Sequence, residues 1–354
     1  MHPISATLLA TCALLSLPAT ASAQAPSQLL WGAKGTLHVA FDDAQLASVS
    51  TTKRVIKPQA LQRLPARDVL AISPAGDLVL IRAGGAAVEL REIKKGEPVM
   101  RFEREAAPVA AHFSPDGKVL YVILSDGMIH VWKDTPKLVK IARSMRGVKE
   151  DPDDLFVQMR KNKAELSAGL ADPVSGPVGL GDAPDLALVQ GGQNVTYWNT
   201  HTPTEATSVF KASGPIRHIV VQDKIILTLS TDDKLEARRV TDKGPRKLDW
   251  VEEAPVLAIA TSANMPGHFI AVTADAIALR KLDSGEPVWT VPRLPGPLCG
   301  LAADGASQQI ALCADGIVAL HSLKDGAQTR ELRREGAHLV ELKRPKLAKK
   351  KGGK

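Results

Sequence analysis

The chain has 354 residues, 44% hydrophobic, 23% charged and 4% aromatic, a balance that fits a globular protein with an extensive core and excludes a disordered, highly charged chain. Its formal charge of +7 is confined to residues 343–354, which hold seven Lys or Arg and no acid and leave 38 basic against 38 acidic residues elsewhere. A neutral body with a basic extension argues against a nucleic-acid-binding domain, whose positive charge would cover a folded face, and no later segment has the roughly 18 consecutive apolar residues of a membrane span.

Residues 1–23 carry no Asp, Glu, Lys or Arg, run apolar from Ala6 to Leu17 and end in Ala21-Ser22-Ala23. Small residues at the first and third positions before a cut suit signal peptidase, so cleavage after Ala23 and a periplasmic or secreted product are expected. A lipid-modified Cys12 is the lesser alternative. Cleavage leaves Cys299 and Cys313. A hairpin placing Cys299 opposite Ile310 sends Cys313 to the other face of the sheet, so two buried thiols are expected rather than a bridge.

Gly35, Gly76 and Gly117 then recur at intervals of 41 residues, and Gly244, Gly285 and Gly326 repeat the interval downstream. Ungapped, residues 69–91 overlie 110–132, with Ser73-Pro74 on Ser114-Pro115 and Leu78 on Val119. Short apolar strands and Gly/Asp turns in a unit of about 40 residues predict an all-β, seven-bladed β-propeller of four-stranded antiparallel blades. Blades are expected to start near 27, 68, 107, 175, 213, 254 and 296. In the third, the strands read 109–113, 119–124, 128–133 and 137–142.

Gly96-Glu97-Pro98-Val99 and Gly285-Glu286-Pro287-Val288 lie 189 residues apart, 25 more than four blades of 41. The surplus points to a charged insertion at 148–174, in blade four. Asp151-Pro152-Asp153-Asp154 resembles a helix start, with an Asp cap, Pro at the first position and carboxylates near the positive end of the dipole. A helix over 152–168 follows, packed by its apolar stripe on the propeller or facing a partner.

The propeller is expected to occupy residues 24–344. Residues 338–343 read as one extra strand, either clasping the N-terminal blade or leading loosely into the tail. The tail itself, residues 345–354, reads as a disordered basic arm. Lys343, Arg344, Lys346, Lys349, Lys350, Lys351 and Lys354 are the candidate partner-binding residues, suited to an anionic envelope surface or to solubilising the terminus.

Phe113-Ser114-Pro115-Asp116-Gly117 through Ser125-Asp126-Gly127-Met128-Ile129-His130-Val131-Trp132 resembles a blade of the WD-repeat family, although Lys133 and Asn199 follow Trp132 and Trp198 where that family commonly has Asp. The resemblance implies a rigid propeller that holds protein partners, usually without catalysis. Leu282-Asp283-Ser284-Gly285-Glu286-Pro287-Val288-Trp289 is similar to the Gly-x-x-x-Trp stretch of quinoprotein-type propellers, which include redox enzymes and periplasmic assembly scaffolds.

No His-x-x-x-His, Cys-x-x-Cys or Gly-x-Ser-x-Gly occurs, so no metal, cofactor or catalytic residue is assigned. His112 and His130, on neighbouring predicted strands, and His321, on a later blade, read as strand residues meeting backbone or hydroxyl partners. The expected function is an exported, non-catalytic scaffold for a protein partner, with no nucleic acid and no membrane span. The alternative is a quinoprotein-like or other enzyme or cofactor binder with its site in the axial channel.

Overall fold

The computed structural model describes residues 26–32, 35–63, 69–84, 86–96, 98–103, 105–114, 117–135, 163–167, 173–180, 185–199, 208–250, 254–262 and 264–342. They form a ring of seven antiparallel sheets. Blade one contains β1 (Pro26–Trp31), β2 (Thr36–Phe41) and β3 (Gln45–Ser50), with β4 (Gln59–Ala60) and β5 (Gln62–Arg63) following at its edge. Blade two is β6 (Val69–Ile72), β7 (Leu78–Arg82), β8 (Ala87–Glu92) and β9 (Pro98–Glu103). Blade three is β10 (Pro108–Phe113), β11 (Leu120–Leu124), β12 (Met128–Trp132) and β13 (Lys163–Ser167), and blade four is β14 (Val174–Leu180), β15 (Asp185–Gln190), β16 (Asn194–Asn199) and β17 (Ser208–Lys211). Blade five is β18 (Ile216–Gln222), β19 (Ile225–Ser230), β20 (Leu235–Thr241) and β21 (Gly244–Lys247), and blade six is β22 (Ala258–Ala260), β23 (His268–Val272), β24 (Ala276–Lys281) and β25 (Pro287–Pro292). Blade seven is β26 (Leu298–Asp304), β27 (Gln309–Ala314), β28 (Ile317–Ser322) and β29 (Gln328–Glu335), extended by β30 (His338–Glu341).

Stacking explains which residues form which strand. A sheet covered on both faces reads as a continuous apolar run, and β19, IILTLS, is buried at all six positions. The outermost β25, PVWTVP, has no such cover and stays largely exposed. The 41-residue glycines do what their spacing implies. Gly35, Gly76 and Gly117 close equivalent turns between first and second strands with φ of 65°, 68° and 70°. Gly285 and Gly326 lie between third and fourth strands, and Gly244 is the first residue of the fourth strand β21. In the first set, Ser73 and Ser114 brace the turn in the same way, because their hydroxyls accept the N–H of Leu78 at 3.0 Å and of Val119 at 2.9 Å.

Blade three corrects the expected strand order. Its fourth strand is β13, which occupies the outer edge of β12 with Trp132 opposite Lys163, so residues 137–142 do not fill that position. The surplus chain therefore falls between the third and fourth strands of blade three, earlier than the blade-four insertion expected at 148–174. The expected helix over 152–168 lies, up to residue 162, outside the described residues; its final part, 163–167, is strand. The open edge of β12 takes residues 163–167 as its pairing partner.

Six innermost strands carry a register shift near their start, between Pro26 and Gln28, Val69 and Ala71, Pro108 and Ala110, Val174 and Val178, Ile216 and His218, and Leu298 and Gly300. This bulge overturns the expected free thiols. Ile310 lies opposite Ala303, and the bulge skips Cys299 so that Gly300 pairs with Cys313. Freed from the strict alternation of the ladder, Cys299 reaches Cys313 and forms a disulfide across a Cα separation of 5.1 Å. Other bulged residues also tie back to the second strand: Ser27 Oγ donates to Ala40 O, and Arg217 Nε donates to Ser230 O.

The extra strand is a clasp. β30 pairs with β29 on one side and with β4 on the other, giving a six-stranded sheet that joins blade seven to the segment leaving blade one. Leu61 N–H donates to Ala337 O at 3.0 Å and Ile56 N–H to Glu341 Oε2 at 3.1 Å. Arg334 adds an ion pair to Asp43 at 2.8 Å, and its guanidinium lies 5.0 Å from the Phe41 ring centre. Residues 1–23 and the seven cations from Lys343 to Lys354 lie outside the described residues.

Candidate functional site

The innermost strands enclose an axial cavity of about 520 Å³. Its wall is mainly aliphatic, with Leu30, Leu70, Val220, Ile259 and Leu301 contributed by blades one, two, five, six and seven. Polar groups collect where the innermost strands end: Gln222, Ser262, Asn264 and Asp304.

Most of these polar atoms already hold the backbone of the rim. Asp304 accepts the N–H groups of Ala306 and Ser307, both at 3.1 Å, forming a turn over the carboxylate. Ser262 Oγ accepts Gly305 N–H at 2.9 Å, linking blades six and seven. Gln222 Nε2 donates to Met265 O at 2.7 Å and so links blades five and six. Asn264 is exposed. The rim is a set of braced turns, and none of these contacts pairs a nucleophile with a general base in the arrangement acyl transfer requires.

Two histidines face the cavity, His112 from β10 and His218 from β18. Both imidazoles are held below the ordinary histidine pKa, first by loss of hydration inside the walls. At His218 a backbone hydrogen bond to Ile259 opposes this and the charge of Arg217 reinforces it. A water-sized molecule reaches His218, while the walls deny it a full hydration shell. Both therefore favour the neutral form. Among the described residues, no three His, Cys, Asp or Glu side chains are placed to hold a metal ion.

The histidines singled out by sequence divide. His321, on β28, has the expected backbone partner, Gly326 O at 3.0 Å from Nδ1. His112 lines the cavity, and β11 separates it from His130 on β12. Gln222, Ser262, His218 and Asp304 were not singled out by sequence. The period held a usable signal, because Gln222 and Asp304 stand two 41-residue intervals apart and each ends an innermost strand.

With this geometry the chain is defined as a seven-bladed β-propeller with an axial cavity. Among solved structures it is similar to the computationally designed Ika8 protein, with a TM-score of 0.58 and 13% identity over 90% of this chain and 93% of that one. It is likewise similar to the β-propeller domain of Cps50 (Swd1) from Myceliophteria thermophila, with a TM-score of 0.56 and 11% identity over 82% of this chain and 93% of that one. Identities this low establish the shared fold. No family model matches the sequence, and no curated protein matches it.

Proposed function

We propose that this chain is an exported, non-catalytic scaffold that holds a protein partner on the propeller ring, with the basic residues Lys343 to Lys354 attaching it to anionic envelope surfaces. The observation that carries the reading is the bracing of the rim: Asp304, Ser262 and Gln222 are engaged in fixing turns around an aliphatic opening. Rigid turns of this kind present a pre-organised surface, which lowers the entropic cost of binding. Export is supported by the character of residues 1–23 and by the Cys299–Cys313 bridge, since disulfides persist in oxidising compartments.

The test is affinity capture from the native periplasm with the full chain, comparing wild type with Asn264→Arg, which places a bulky cation on the exposed rim. Capture of a defined protein that is weakened by the substitution supports the scaffold. If capture is unaffected and no specific partner is enriched, the reading fails.

A second reading, a cofactor binder in the axial channel, is favoured by His112 and His218 facing the cavity. Protein purified from its native host would then carry a bound small molecule, released on unfolding and absent from a His112→Ala/His218→Ala variant.

A further inference from the structure

The outer ribbon of blade five has like charges set directly against one another. In the β20–β21 ladder, Arg238 lies opposite Lys247 and Arg239 opposite Arg246. Such juxtapositions destabilise a strand pair. Arg238 is compensated, with Glu236 at 2.6 Å and the Phe210 ring centre at 4.6 Å. The side chains of Arg239, Arg246 and Lys247 are exposed and make no hydrogen bond or ion pair with any described residue.

These three cations line a concavity of about 410 Å³ together with Leu248, Trp250 and, from the neighbouring blade, Ser284. Trp250 is fixed there, stacked on Phe269 with ring centres 5.6 Å apart. The arrangement exceeds what protection of a sheet edge demands. Pro245 already removes a donor from the outer strand β21, and cations on that strand would complete the protection. Arg239 lies one strand further in, cross-strand from Arg246. Asp249 and Asp283 also line the concavity and interrupt the positive field, which favours a shaped ligand over an extended polyanion or a membrane plane.

We propose that this concavity, between the outer ribbon of blade five and the Asp283–Gly285 turn of blade six, binds an acidic polypeptide segment. Arg239 and Arg246 receive its carboxylates through the paired N–H groups of each guanidinium, and Leu248 and Trp250 take an adjacent apolar side chain. Missing N–H donation at Pro245 makes side-chain recognition, rather than strand addition, the mode of contact.

This inference rests on the scaffold reading in that the partner is a protein. It is tested by titrating the full chain with a fluorescent peptide of alternating Glu and Leu, alongside phosphatidylglycerol vesicles and heparin. Arg239→Glu/Arg246→Glu should weaken peptide binding at least ten-fold and leave the thermal midpoint near that of the wild type, because Glu opposite Glu keeps a like-charge pair. Arg246→Gln should weaken it less. Vesicle binding should not respond. An unchanged peptide affinity in the folded double variant overturns the proposal, as does a loss confined to vesicles or heparin. If the peptide result fails while Asn264→Arg still weakens native capture, this site is refuted and the scaffold reading stands.

Discussion

Trp250 lies face-on against Gly285 of the next blade: a Cβ built on Gly285 would stand 2.5 Å from the indole Cδ2 and 2.6 Å from Cε3. One blade further on, Trp289 stands in the same relation to Gly326, with Cε3 at 2.7 Å, and its Nε1–H donates to Leu323 O at 2.9 Å. Each contact seats an aromatic side chain of one blade on the turn between the third and fourth strands of the following blade. The Gly-x-x-x-Trp likeness read from the sequence thus has a packing role here.

Gly285→Ala is expected to destabilise the ring by about 2 kcal/mol or more, combining overpacking against Trp250 with the strain of a side chain at φ +69°. Gly96→Ala is the comparison, because Gly96 has φ +65° and open space around the new methyl. Chemical denaturation of the two variants isolates the cost of the aromatic contact. Equal losses would remove Trp250 from the account.

Reduction of the Cys299–Cys313 bridge, or Cys313→Ala, should lower stability by about 3 kcal/mol, the chain-entropy value for a loop of roughly this length. Thermal unfolding with and without reductant measures it. In the Cys313→Ala variant the reductant dependence should disappear.

His38 provides a pH dependence. It is buried on β2, with Nδ1 2.8 Å from Ser48 Oγ, and loss of hydration lowers its pKa from 6.5 to about 4. A depressed histidine pKa means that the unfolded chain binds the proton more readily, so the contribution is fully present above pH 6.5 and is lost as pH falls toward 4. The loss amounts to about 3 kcal/mol at the bottom of that window. His112 and His218 shift in the same direction and add to the slope. Melting curves between pH 7 and 4 should therefore decline less steeply for His38→Asn than for wild type.

The clasp and the basic segment should separate cleanly. Leu339 is buried in β30 among residues of both blade one and blade seven, so Leu339→Ala should cost about 2–4 kcal/mol. Deleting residues 345–354 should leave the thermal midpoint nearly unchanged and abolish attachment to anionic vesicles. That attachment should weaken steeply as salt rises from 0.01 to 0.15 M, because the Debye length falls from about 30 Å to about 8 Å.

Export gives the simplest test. Edman sequencing of the secreted or periplasmic product should begin at Gln24. A lipid-modified chain beginning at Cys12 would replace soluble export with membrane anchoring.

The sequence by itself determined the ring. A 41-residue period, apolar strands and positive-φ glycines are local signals, and repetition makes each blade confirm its neighbours; hence the blade starts near 27, 68, 107, 175, 213, 254 and 296 fall close to Pro26, Val69, Pro108, Val174, Ile216, Ala258 and Leu298. What the tertiary structure decided involves partners distant in sequence or departures from regular register. The edge of β12 selected Lys163–Ser167 over a nearer apolar stretch, and a one-residue bulge brought Cys299 to Cys313. Pairing of β30 with β4 chose the clasp between two alternatives the sequence left open. The rim followed the same logic, since Gln222, Ser262 and Asp304 become neighbours only when three blades close around one axis. Hairpins are specified by their own turns, whereas an axis exists only after all seven sheets have packed.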